Sequence, residues 1–104
     1  MNTDNQPIQI LGRVLNILDA EQGGSENNPW RKRAFIIETL DRFPKKVFIN
    51  TWGNSIDYLE RLRLDDIVCA YVNIESREHA GKYYTEVSAW KVLPDIKRTR
   101  EAVK

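Results

Sequence analysis

The chain has 104 residues, 41% apolar and 30% charged, which fits one globular domain and excludes a wholly disordered chain. Lys and Arg number 16 against 15 Asp and Glu, a net charge of +1, so a protein that coats any polyanion through bulk charge is excluded. With Cys69 and His79 as the only residues of their kinds, an internal disulfide and a cysteine zinc site are excluded, and a Cys–His nucleophile or metallohydrolase is disfavoured. No uncharged stretch approaches the roughly 20 apolar residues of a membrane-spanning helix. The polar opening MNTDNQPIQ has no signal-peptide core, so a cytoplasmic protein with no membrane partner is expected.

Residues 1–7 read as a loose leader. The run IQILGRVLNILDA (8–20) predicts a long first strand bent at Gly12. EQGGSENNP (21–29), with its Gly, Asn and Pro, predicts a flexible loop. RKRAFIIETL (31–40) predicts a second strand, DRFPKK (41–46) a turn, and VFINTW (47–52) a third strand.

The period then changes. In NSIDYLERLRL (54–64), Ile56, Leu59 and Leu62 recur at helical spacing, Asn54 or Ser55 is available as a cap, and Arg61 and Arg63 fall in the last turn. A short helix is expected. DDIVCAYVNIESRE (65–78) alternates as a fourth strand, with Val68, Ala70, Val72 and Ile74 on one face. HAGK (79–82) predicts a hairpin turn with a positive φ at Gly81, and KYYTEVSAWKVL (82–93) a fifth strand. The segment 94–104 is polar and slightly basic, helical or disordered.

The order strand-strand-strand-helix-strand-strand in so short a chain favours closure, which removes exposed sheet edges. The expected fold is all-β, a five-stranded Greek-key OB-fold barrel over residues 8–93, with one short helix between strands 3 and 4.

Residues 51–77, TWGNSIDYLERLRLDDIVCAYVNIESR, resemble the third strand, helix and fourth strand of bacterial single-stranded-DNA-binding proteins, and KYYTEVSAWKV (82–92) is similar to their last core strand. The combination of IESRE, the Tyr83–Tyr84 pair and AWK resembles, more closely, a family of small bacterial OB domains without assigned function. The slightly basic tail departs from the Gly-rich, acidic-tipped tail of the housekeeping proteins. The short chain is instead like primosomal replication protein B, a dimeric single-OB protein. The resemblance implies a non-enzymatic protein without cofactor that binds single-stranded DNA, or RNA, as a homodimer or homotetramer, with replication and repair proteins as partners. It also implies that Trp52, the aromatic before the Gly, stacks on a base.

Unpaired nucleic acid is held by cations on its phosphates and by rings on which its bases stack. The chain has 3 Trp, 4 Tyr and 3 Phe, several next to Lys or Arg. On the third strand, alternation separates Val47, Ile49 and Thr51, suited to the interior, from Lys46, Phe48, Asn50 and Trp52. The candidate nucleic-acid contacts are Trp30, Lys32, Arg33, Lys46, Phe48, Trp52, Arg77, Lys82, Tyr83, Tyr84 and Trp90, with Phe48 and Trp52 first. Tyr83 and Tyr84 must face opposite ways, so at most one serves. Parity leaves the facing of the second strand open.

Plainer readings stand beside these: Trp52 and Phe48 also suit rings covered by the tail or by a dimer partner. Trp90 suits packing near a strand end. The run Arg31–Lys32–Arg33 suits a solvated edge that resists pairing. Glu75, Glu78 and Glu86 suit cross-strand ion pairs with Arg77 and Lys82. His79 and Cys69 carry no assigned role. The competing function is an OB domain for protein assembly, in which the outward rings form an interface. No phosphate-binding glycine loop, metal-ligand spacing or nucleophile–base pair speaks for an enzyme.

Overall fold

The computed structural model describes residues 6–102. Residues 1–5 and 103–104, parts of the expected leader and tail, lie outside it. Six strands form in chain order: β1 (Ile8–Ile17), β2 (Glu21–Ser25), β3 (Asn28–Thr39), β4 (Lys46–Trp52), β5 (Ile67–His79) and β6 (Lys82–Pro94). A 3₁₀ helix, Gly53–Arg61, joins β4 to β5, and α1 (Ile96–Ala102) follows β6.

Five strands close on themselves. β1 pairs antiparallel with β5 through residues 8–13 and with β3 through residues 12–17. β3 pairs with β4, β4 runs parallel to β6 at Asn50–Ser88 and Thr51–Ala89, and β6 returns to β5. The circuit β1-β3-β4-β6-β5-β1 is the OB-fold barrel. Gly12 sits where β1 changes partner, paired with both Thr39 and Val68. A Cβ there would come within 2.8 Å of the Glu38 carbonyl oxygen, so only glycine lets the strands approach. The register also slips between Val14 and Asn16, a bulge that no glycine or proline marks.

The interior is filled by Val14, Phe35, Ile37, Ile49, Leu59, Val68, Ala70, Val72, Ala89 and Val92. β4 alternates as expected: Ile49 and Thr51 are buried while Phe48 and Trp52 are exposed. β3 resolves the same way, with Phe35 and Ile37 fully buried and Ile36 facing out opposite Phe48. On β5, Ile74 keeps the face of Val68, Ala70 and Val72 but is 52% exposed, not buried. From there the β5–β6 hairpin extends past the barrel, and no opposing wall covers the strand.

Two elements differ from the sequence-based expectation. Residues 21–29 are no open loop: β2 folds back on β3, pairing Glu21 with Lys32 and Gly23 with Trp30. The helix has three residues per turn, and that geometry puts Ile56, Leu59 and Leu62, spaced by three, on one buried face. In an α-helix the same residues would drift around the axis. Neither Asn54 nor Ser55 caps it. The cap position is Trp52, in extended conformation and without a side-chain cap bond, and Arg63 lies past the end. α1, by contrast, is capped: Asp95 Oδ1 accepts the Arg98 amide hydrogen at 3.0 Å. Thr99 ties α1 to β5 by accepting the Ile67 amide hydrogen at 2.8 Å.

Candidate nucleic-acid interface

Registers across β3, β4 and β6 decide which outward side chains meet. Lys32 lies opposite Trp52, Ile36 opposite Phe48, and Glu38 opposite Lys46. Arg77 lies opposite Tyr84, and Glu75 opposite Glu86. Directly paired residues share a face. A groove of about 440 Å³ results on this face, lined among others by Lys32, Phe48, Asn50, Trp52, Arg77 and Glu86.

Trp52 is fixed from three sides. Its indole packs edge-on against Trp30, with ring centroids 5.8 Å apart and planes at 65°. Its Nε1 donates to Glu86 Oε2 at 2.8 Å. Lys32 Nζ sits 5.5 Å from the Trp52 ring centre and 5.6 Å from that of Trp30, a cation shared by two π-faces. Both indoles remain 39% exposed, so ring surface and charge are presented to solvent together.

Trp30 owes its pose to β2. A Cβ on Gly23 would lie 2.5 Å from Trp30 Cζ2, so the indole occupies the space a side chain at 23 would need. The Gly-rich segment thus holds a ring in place and does not act as a loose flap. A second depression, about 390 Å³, lies beyond the pair and is lined by Pro29, Trp30, Arg31, Trp52, Gly53 and Asn54.

Glu86 is a group the sequence analysis misassigned. It forms no cross-strand ion pair. Its Oε2 accepts hydrogen bonds from Trp52 Nε1, Asn50 Nδ2 at 3.1 Å and Ser88 Oγ at 3.0 Å. Partial burial pushes its pKa up, but those three donors and the nearby Arg77 charge outweigh it and hold the carboxyl below its ordinary range. Glu75 pairs along its own strand with Arg77, at 3.7 Å. Asn50 and Glu86, which orient the ring at the centre of the groove, were not among the candidates. Their partners lie 34 and 36 residues away, and no local pattern signals them.

The remaining candidates separate by position. Lys46 is exposed on the face of β4 that carries Phe48. Tyr84 shares the Arg77 face of the hairpin, whereas Tyr83, opposite Glu78, is on the other. Lys82 is at the hairpin tip opposite His79. Arg33 is not in the groove. It alternates away from Lys32, and its Nε donates to the Leu18 carbonyl at 2.6 Å, a bond that locks the β1 exit to β3. Trp90 also lies elsewhere, against Tyr71 with centroids 5.5 Å apart and beside the 3₁₀ helix. Cys69, half-buried on the outer face of β5, has its thiol pKa raised by burial and by Asp95, which leaves little reactive thiolate at neutral pH.

The barrel is similar to solved single-stranded-DNA-binding proteins. The yeast (S. cerevisiae) mitochondrial protein Rim1 superposes with a TM-score of 0.66 at 16% identity, over 86% of this chain and 94% of that one. The second single-stranded-DNA-binding protein of Mycobacterium smegmatis gives 0.62 at 20% identity, over 90% of each chain. The SSB domain of a Synechococcus protein gives 0.60 at 16% identity, over 83% and 91%. At these identities the likeness establishes the OB fold. No curated protein matches the sequence significantly. Residues 9–93 match the family described as Domain of unknown function (DUF3127), and the chain belongs to that family.

Proposed function

We propose that this protein is a non-enzymatic module that binds single-stranded nucleic acid, DNA in the first place, along the groove between β3–β4 and the β5–β6 hairpin. The observation that carries the proposal is the Trp30–Lys32–Trp52 cluster. Two exposed indoles and an ammonium group are held within 6 Å of one another by a glycine on one side and a carboxylate on the other. Stacking needs an immobilised flat ring, because the entropy of ordering a free one would offset the gain. Phe48 extends the ring surface, and Lys32, Lys46 and Arg77 supply phosphate contacts. Solved OB proteins of like fold that are described as single-stranded-DNA-binding support the choice of ligand.

Trp52→Ala tests this. Affinity for an oligothymidylate, read by fluorescence anisotropy of a labelled strand, is expected to fall about 5- to 150-fold, the equivalent of the ~1–3 kcal/mol of one stacked base. Unchanged affinity with an intact fold would reject the site.

Self-association belongs to the same proposal. Leu11, Cys69 and Leu93 share one outer face of β1, β5 and β6, and Leu93 is 39% exposed. We propose that this face joins copies into a homodimer or homotetramer, which sedimentation would read directly. A protein that self-associates but binds no oligonucleotide at low salt is an assembly domain instead.

A further inference from the structure

A third depression lies beside the 3₁₀ helix, about 450 Å³ in volume and lined by Asn54, Ser55, Asp57, Tyr58, Arg61 and Trp90. It shares Asn54 with the second depression, and the second shares Trp52 with the first groove. The three therefore form a series in which each shares a wall residue with the next. Resting on the nucleic-acid reading above, we propose that the bound strand does not end at Trp52. It crosses Gly53 and continues into the helix depression, where Tyr58 and Trp90 offer stacking faces and Arg61 a phosphate contact.

Three observations carry the extension. The first is the crossing point. Gly53 has φ of +55°, and a Cβ built on it would meet nothing within 4 Å. The turn from β4 into the helix thus needs a left-handed residue and leaves a bare saddle between the second and third depressions.

The second is the presentation of Trp90. Tyr71 pairs with Lys91 and Val72 with Ala89, so Trp90 is the extra residue of a β-bulge. A bulge re-aims a side chain out of the regular alternation. Trp90 follows the buried Ala89 and points outward, 46% exposed, and the bulge leaves Lys91 on the same outer side before the buried Val92, while Tyr71 supports the indole at 5.5 Å. Lys91 Nζ lies 5.2 Å from the Tyr71 ring centre, which adds a cation behind the supporting ring.

The third is the chemistry of the lining. Tyr58 is 37% exposed and Arg61 is exposed on the helix surface. Rings, a guanidinium and the polar Asn54 and Ser55 suit an unpaired strand, whose bases stack and whose phosphates seek cations. An apolar protein interface would call for a drier patch. The Asp57 carboxylate in the same depression repels phosphate and leaves the Arg61 side as the backbone path.

Oligothymidylates of graded length separate the possibilities. For the wild-type protein, affinity is expected to keep rising past the length that fills the groove around Trp52. In Tyr58→Ala and Trp90→Ala it is expected to level off at that shorter length. Their affinity for the longest strand falls about 5- to 30-fold each, while the shortest strands bind as to wild type. The unchanged binding of short strands also shows that the variants fold. Trp90→Phe, which keeps a π-face, is expected to restore most of the loss. Arg61→Ala is expected to make the salt dependence for long strands shallower by about 0.7 in log–log slope, one phosphate contact. If the helix variants bind long strands like wild type while Trp52→Ala does not, the extension is wrong and the groove assignment stands. If no strand of any length binds the wild-type protein, both fall.

Discussion

Glu86 sets a negative charge among rings and cations that are proposed to meet a polyanion. Its task is visible in its partners: a carboxylate that accepts from Trp52, Asn50 and Ser88 at once fixes the tilt of the indole at the centre of the groove. Its pKa lies below the ordinary value of 4.5 because those donors and Arg77 outweigh desolvation. A carboxyl depressed in the folded state stabilises that state fully above its unfolded pKa. The contribution is lost as pH falls through the lower folded value. Near neutral pH the groove geometry is therefore constant. Below pH 4.5 the indole loses its charged acceptor, and a step in Trp fluorescence is expected there, with a matching loss of stability. In Glu86→Gln the step should vanish and the acid limb of the stability curve should flatten. Identical acid limbs in the two proteins would show that another carboxyl controls the transition.

At the scale of elements, the β5–β6 hairpin shows a compromise. Its two loop residues, Ala80 and Gly81, have φ of +53° and +80°, the sign pattern of a type I′ turn. Glycine is at ease there, but alanine in the left-handed region costs roughly 1 kcal/mol or more. Ala80→Asn is expected to stabilise the protein by about 1 kcal/mol and raise the thermal midpoint by about 4–8 °C, with no change in Trp fluorescence. An unchanged midpoint would mean the hairpin end is already frayed in the folded state. The positive φ of Gly81 was legible from HAGK alone, as were the order of the barrel strands and the in-out alternation of β4, because alternation and turn chemistry are local. The helix was legible in position but not in pitch, because apolar residues three apart also lie on one face of an α-helix and only the folded chain shows three residues per turn. The segment 21–29 was not legible. Gly23 belongs to a strand only because the Trp30 indole from β3 fills its missing side chain, and composition reads such a glycine as looseness. Arg33 misled for the same reason: its acceptor, the Leu18 carbonyl, is 15 residues away. Parity gives the face of a side chain and not what it meets there.

For the molecule as a whole, a net charge of +1 means that long-range attraction to a polyanion is weak and binding must come from the local arrangement of cations along the track. Lys32 and Arg77 line the first groove, Lys46 is exposed on the Phe48 face of β4 at its end, and Arg61 lines the helix depression. Glu38 opposite Lys46, and Glu75 and Glu86 beside Arg77, cancel much of the field beyond a Debye length. Counterions are released only where a cation meets a phosphate, at about 0.7 per contact on a single strand. The plot of log association constant against log salt is therefore expected to have a slope of about −2 for strands confined to the first groove. It should approach −3 for strands long enough to reach Arg61. A slope near zero would mean that stacking acts without phosphate contacts. A slope steeper than about −5 would bring in cations from outside the track, and the barrel would then be binding through its whole surface despite its charge balance.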